Sequence, residues 1–206
     1  MKSKSKLIRI SRAPGRPREF DMGGVLDKAT SVFRKRGYHA ASISELSKAT
    51  GLTEGSLYKA FAGKEALFIA VFDRYCARRQ DELSGVLARE SHSAAKLQAA
   101  LTYYVQSSTG AEGQLGCLIV GSVSALDLLE VNVASKVREA LQRNESTLVS
   151  LIEQGVADGA FREDIDPIAA AKLLWCTLMG IRVAGKAGVK GEELGVVVEQ
   201  AMRFLK

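Results

Sequence analysis

Cysteine, proline and histidine are scarce in this chain of 206 residues, and each scarcity closes off a class of protein. The three cysteines, Cys76, Cys117 and Cys176, lie far apart with no CxxC and no paired histidine. That spacing argues against a metal site and for reduced thiols. The two histidines, His39 and His92, leave little for a histidine base, and no P-loop, GxGxxG after a strand, GxSxG or HExxH is present. The chain is therefore not expected to be an enzyme, and no cofactor is implied. After Lys64 no proline appears until Pro167, so nearly all of that interval is free to be helical. Apolar runs are interrupted by charge or glycine well before the roughly 18 residues of a membrane span. Met1 to Arg12 is basic without a following apolar h-region, so no secretory signal is expected and the expected location is cytoplasmic.

Acidic residues are also missing from one place. Met1 to Arg18 carries seven Lys and Arg and no acid. Over Met1 to Lys64 there are 14 basic and 5 acidic residues, a net of +9, which leaves 15 and 18, or −3, for Glu65 to Lys206. A positive field confined to one end is the electrostatic footprint of a polyanion-binding module, because neutralised phosphates release counterions. Residues 1–18 are expected to form a flexible basic arm.

What the chain does have is concentrated between Ser42 and Glu65. Ser42 and Glu45 stand at capping-box spacing, and Ile43, Leu46 and Ala49 follow on one helical face. Gly51 supplies a position where positive φ costs little. Thr53 is the next N-cap, and Leu57 and Phe61 give a second short helix its apolar stripe. Upstream, Val25, Leu26, Ala29, Val32 and Phe33 recur at helical spacing until Gly37, with Tyr38 expected in the core. The second short helix presents Thr53, Glu54, Gly55, Ser56, Tyr58 and Lys59, small or hydrogen-bonding groups suited to a DNA major groove.

Gly55-Ser56-Leu57-Tyr58, then Phe61, then Lys64-Glu65, resembles the helix-turn-helix signature of TetR-type transcriptional regulators. The resemblance implies an all-α chain with a three-helix DNA-binding domain over 19–65 and a larger helical effector-binding and dimerisation domain over 66–206. It implies double-stranded DNA as partner, read as a palindromic operator by a homodimer and released by a small-molecule effector, most often as a repressor. The DNA-facing set is Ser42, Thr53, Glu54, Gly55, Ser56, Tyr58, Lys59 and Lys64, with Tyr58 and Lys64 assigned to phosphate. Glu54 departs from the lysine or similar residue often found there. Arg16 and Arg18, in Gly15-Arg16-Pro17-Arg18, resemble an AT-hook core for the minor groove, with a merely solvated tail as the alternative.

Downstream, helices are expected over about Lys64 to Glu90, His92 to Thr109, Gly116 toward Glu130, Val133 to Ala157, Pro167 to Ala187 and Gly191 to Leu205, with a loop at Gly110 to Gly113. Asp166-Pro167 is a strong helix start. In the last two helices the row Cys176, Gly180, Ala184 and Gly188, with Leu173, Leu194, Val198 and Ala201, is expected to form the dimer interface that the resemblance implies. Tyr75, Tyr103, Tyr104, Cys117 and Trp175 are expected to line the effector pocket. Arg182, alone in an apolar helix, is expected to meet an anionic ligand or an ion-pair partner across the interface. Cys117 is either an inert buried thiol or, in the first turn of a helix, an activated one. An effector-independent architectural DNA binder is the alternative function; an all-helical enzyme is the remoter one.

Overall fold

The computed structural model describes residues 21–206; the basic arm, with Arg16 and Arg18, lies outside them. The described residues are helical, with no strand among them. The order is α1 (Met22–Ala40), α2 (Ile43–Thr50), α3 (Glu54–Ala60), α4 (Lys64–Leu87), α5 (Ser93–Gln106), α6 (Gly110–Gln114) and α7 (Leu118–Val123). A 3-10 turn (Leu126–Leu128) leads to α8 (Val131–Ala157), α9 (Pro167–Lys186) and α10 (Gly191–Leu205).

Local chemistry sets most boundaries. Val25, Ala29 and Phe33 bury one face of α1, and Gly37, at φ 76 and ψ 173, breaks its regular path. The break turns Tyr38 inward, where its ring meets Phe68 at 4.9 Å. At α2 both halves of the capping box form: Glu45 N donates to Ser42 Oγ at 3.1 Å and Ser42 N donates to Glu45 Oε2 at 3.2 Å. Gly51, at φ 76 and ψ 11, ends α2 in the left-handed region. Asp166 caps α9 by accepting from Ile168 N at 2.9 Å, with Pro167 in the first turn.

Two apolar cores result. In the first, Phe33, Leu46, Leu57, Leu67, Phe68 and Phe72 tie α1 through α4 together, and Leu118, Val133 and Val137 continue it into α7 and α8. Each fully buried Phe side chain contributes about 1.5–3 kcal/mol through the water it sheds. The head is thus not a separately packed unit, and the expected boundary after residue 65 is not a packing boundary. The second core joins α5, α8, α9 and α10 through Leu97, Leu101, Ile152, Leu174, Leu178 and Leu205.

Three expectations are corrected. Gly110 to Gly113 is not a loop but the start of α6, which Arg34 and Arg79 hold by its Glu112. The helix expected to run toward Glu130 stops at Val123. There Ser122 Oγ donates to Leu118 O and Ser124 Oγ to Gly121 O, local bonds that compete with continued helix. Gly188 lies beyond α9, at φ 96, as the residue that closes a Schellman turn: its N–H donates to Gly185 O and that of Val189 to Ala184 O, each at 3.1 Å.

Leu194 and Val198 are corrected as well. Both belong to the chain's own core, at 5% and 4% exposure, so neither faces a partner. The outward face of α9 and α10 carries Leu173, Cys176 and Gly180 of the expected set, together with Val183, Val197 and Phe204. Ala184 and Ala201 are half-buried. α9 is long and apolar enough to cross a membrane by length and composition, yet eight of its residues, Trp175 and Leu178 among them, are buried in this core.

Candidate nucleic-acid interface and effector cavity

The exposed surface of the head is built by the caps of α2 and α3. Thr53 ends the tight connection after Gly51 and accepts from Ser56 N at 3.2 Å, while its Oγ1 lies 2.9 Å from Ser56 Oγ. Those bonds fix the first turn of α3 with Thr53, Glu54 and Gly55 exposed. Leu57 is buried beneath it, so Tyr58, Lys59 and Ala60 face solvent, Tyr58 at 56% exposure. Ser42 is exposed, but its hydroxyl is engaged in capping α2, and Ser56 is half-buried. A short helix whose N-terminus and small side chains face outward has the shape to enter a major groove.

Lys64 takes a role the sequence did not indicate. Its ammonium donates to His39 O at 2.9 Å and sits 4.9 Å from the centre of the Tyr38 ring. Partial burial lowers its pKa from the ordinary value. Lys64 is thus first a clasp between α1 and α4, whatever it offers to phosphate.

Fourteen or so residues further along α4, roughly 20 Å at 1.5 Å per residue, the same helix reaches a cavity in the body. Tyr75, Tyr103, Tyr104, Cys117 and Trp175 all line it. Its volume is about 40 Å³, room for a few water molecules. Burial, with the Cys117 neighbour, pushes the Tyr75 phenol up to about 12, and burial pushes Tyr104 to about 12. Both phenols therefore stay protonated near neutrality and present O–H donors. Tyr75 spends its donor on Cys117 Sγ at 3.6 Å.

Cys117 stands at the N-cap of α7, ahead of the first turn and half-buried. Burial pushes the neighbouring Cys76 thiol up to about 12, which leaves it protonated and unreactive. Sequence reasoning missed Arg79, Arg143 and Asn144 in the lining, because nothing in helical periodicity separates a long side chain aimed at a cavity from one aimed at water. Arg182 is corrected with respect to the interface: it is buried on the cavity wall, donates to Ser107 O at 2.8 Å and sits 5.0 Å from the centre of the Tyr104 ring. Among the described residues no cluster of His, Cys, Asp and Glu has the make-up of a metal site.

Beyond the apolar core they share, two further links run between head and cavity. One link is α4 itself. The other is Glu112 of α6, which accepts from Arg34 of α1 and from Arg79 of α4, the latter a cavity residue.

A helix-turn-helix reading head joined by one continuous helix to a cavity-bearing helical body defines a DNA-binding regulator of transcription. Comparison with known proteins agrees: residues 25–71 match the model of bacterial regulatory proteins of the tetR family, and residues 93–199 match the tetracyclin repressor-like C-terminal domain. The chain belongs to the TetR family of transcriptional regulators. It is 29% identical over 199 residues to the HTH-type transcriptional repressor ComR of Escherichia coli K12, covering 95% of this chain and 93% of that one. A cysteine-substituted form of the TetR family regulator CifR, solved on 26-base-pair operator DNA, is 32% identical at a TM-score of 0.77, covering 93% of this chain and all of that one. A regulator from Agrobacterium tumefaciens shares the fold at a TM-score of 0.82 and 18% identity, over 89% of this chain and 96% of that one.

Proposed function

We propose that this protein is a repressor that acts in the cytoplasm as a homodimer, holds a palindromic operator through α3 of each head, and lets go when a small molecule occupies the cavity. The observation that carries this reading is the double linkage of Arg79: it lines the cavity and shares Glu112 with Arg34 of the head. A ligand that moves Arg79 or spreads α4 from α9 must disturb what holds the head in place. To matter, occupancy has to cost the DNA-competent state about 1–3 kcal/mol. In this reading Thr53, Gly55 and Ser56 approach base edges, and Tyr58 and Lys59 approach phosphates. Glu54 is in reach of a cytosine amino group, which a carboxylate accepts from. No catalytic role is assigned.

Two observations support dimeric action. The outward face of α9 and α10 exposes Leu173, Val183, Val197 and Phe204 at 50%, 58%, 37% and 47%, and the relative CifR is solved on an operator duplex. A two-fold pair of heads reads two half-sites about one helical turn apart or a multiple of it. The alternative, an architectural DNA binder with no effector, calls for a body packed solid, whereas this one holds a lined cavity.

The test is selection of bound fragments from a random DNA pool with purified protein. An inverted repeat is expected. Recovery of a single unrepeated site, or no enrichment, overturns the dimeric reading.

A further inference from the structure

Arg79, Arg143 and Arg182 line the cavity, and no Asp or Glu does among the described residues. Two of the three guanidiniums have an outlet for their charge. Arg143 is exposed and also lines an open groove between α4 and α8, where water solvates it. Arg79 pairs with Glu82 at 3.0 Å and with Glu112.

Arg182 has none. It is 8% exposed, and one donor, Nη1, is used, on Ser107 O at 2.8 Å. Among the described residues no carboxylate comes within ion-pair distance of it. Its guanidinium lies against the Tyr104 ring, which offers a quadrupole and no formal charge. A buried guanidinium without an anion is costly, and such groups in folded proteins are paired or meet a bound partner. One donor in the same wall is unmet: Arg79 Nε is buried with no acceptor. Buried donors left without partners call for an explanation, and a bound acceptor is one.

We propose that the effector is a small carboxylic acid, bound as its anion, with the carboxylate on Arg182 and an apolar body against Tyr104, Trp175 and Met179. The planar fork of a guanidinium matches two carboxylate oxygens, and a cationic ligand meets only like charge on this wall. The volume of about 40 Å³ accommodates the head group, while the body displaces side chains, of which unbranched Met179 is the most adaptable. This inference rests on the reading of the cavity as the effector site.

The experiment pairs three acids with their neutral isosteres: acetate, butyrate and benzoate against acetamide, butyramide and benzamide. Binding is measured by calorimetry at fixed ionic strength, and release of the selected operator duplex by fluorescence anisotropy. At least one acid is expected to bind about tenfold or more tightly than its amide, the size of a charge-assisted hydrogen bond. Arg182→Met is expected to erase that preference, bringing each acid and its amide within about twofold of one another. Arg182→Lys, which keeps the charge and loses the fork, is expected to retain part of it. The wild-type comparison of acid with amide needs no variant and stands if Arg182→Met does not fold.

Equal affinity for acid and amide, a preference that survives Arg182→Met, or no binding of any acid at millimolar concentration overturns the proposal. The two readings fail separately. An amide that releases DNA as well as its acid leaves the effector site standing and removes the anion. An acid that binds through Arg182 without releasing DNA leaves the anion site standing and removes the effector role.

Discussion

Arg34 of α1 and Glu112 of α6, 78 positions apart in sequence, lock the head to the body. Arg34 Nη1 lies 2.8 Å from Glu112 Oε1, Nη2 donates to Glu112 O at 2.8 Å, and Nε donates to Gly116 O at 2.6 Å. The side chains are unequal: that of Arg34 is 4% exposed and that of Glu112 is 42% exposed. The buried partner therefore carries most of the cost when the pair is broken. Arg34→Met removes all three bonds and leaves two carbonyls with one donor fewer. It is expected to destabilise the fold by about 3 kcal/mol. Glu112→Gln still accepts from both arginines but leaves them without an anion; because water reaches the Glu112 side of the pair, it is expected to cost less than Arg34→Met, about 1–2 kcal/mol. Urea unfolding of both variants measures the difference, and equal losses would contradict the asymmetry.

The same pair predicts an acid sensitivity. Burial alone would raise the Glu112 carboxyl, but Arg34 and Arg79 outweigh it and hold it below its ordinary value of 4.5. A carboxyl whose folded pKa is depressed adds stability that is fully present above the unfolded value. That stability is lost as pH falls through the lower, folded one. Melting temperatures from neutral pH to below 4.5 should show the wild type losing more than Glu112→Gln. A parallel decline in both would assign the acid sensitivity to other carboxyls.

Glycines on α9 divide into one that the chain needs and one that it leaves open. A Cβ added at Gly185 would overlap the Ser108 carbonyl oxygen, part of the backbone at the end of α5. Nothing lies within 4 Å of a Cβ added at Gly180. Gly185→Ala is expected to destabilise by about 1–3 kcal/mol through overpacking. Gly180→Ala should leave protomer stability unchanged or raise it by about 0.4–1 kcal/mol. Thermal melts of the two variants are the check.

What the sequence disclosed follows the range of the interactions concerned. Ser42 with Glu45, Thr53 with Ser56, and Asp166 with Pro167 act within three residues, so spacing alone located them. The cavity aromatics Tyr75, Tyr103, Tyr104 and Trp175 were legible because few residues of that size occur in the body and the family resemblance calls for a pocket there. Arg34 and Glu112 were not, being 78 positions apart in sequence. Nor was the orientation of α10: with Leu194, Val197, Val198, Ala201 and Phe204 it is apolar on more than one side. Periodicity cannot tell which side its own chain covers. The short α6 escaped because tertiary bonds to Glu112 hold a segment whose two glycines oppose helix.

The DNA face yields a prediction that separates attraction from architecture. Lys59 is exposed and free of intrachain ion pairs among the described residues, so Lys59→Ala should weaken binding to all sequences. It should lower the slope of log K against log salt by about 0.9 for each head. Lys64→Ala should do something different, because its ammonium lies over the Tyr38 ring and donates to His39 O. Loss of that clasp is expected to lower the melting temperature as well as the affinity. A Lys64→Ala protein with wild-type stability and only a reduced salt slope would return Lys64 to phosphate.

Dimerisation provides the last prediction, and it turns on which apolar side of α9 and α10 is already in use. Leu194 and Val198 are packed within the chain, whereas Gly180 is exposed between Leu173 and Val183, which are 50% and 58% exposed. Gly180→Leu therefore adds bulk where the protomer has room and a partner helix would not. Equilibrium sedimentation should show it shifted toward monomer with an intact helical spectrum. Its affinity for an inverted repeat should fall toward that of one head on one half-site. Leu194→Ala should behave in the opposite way, lowering the unfolding free energy by about 2–5 kcal/mol through the cavity it leaves, with dimerisation altered only as far as folding is. If Gly180→Leu stays dimeric and binds the repeat with wild-type affinity, the two-fold contact does not run along this face. The exposed Val197 and Phe204 would then need another explanation.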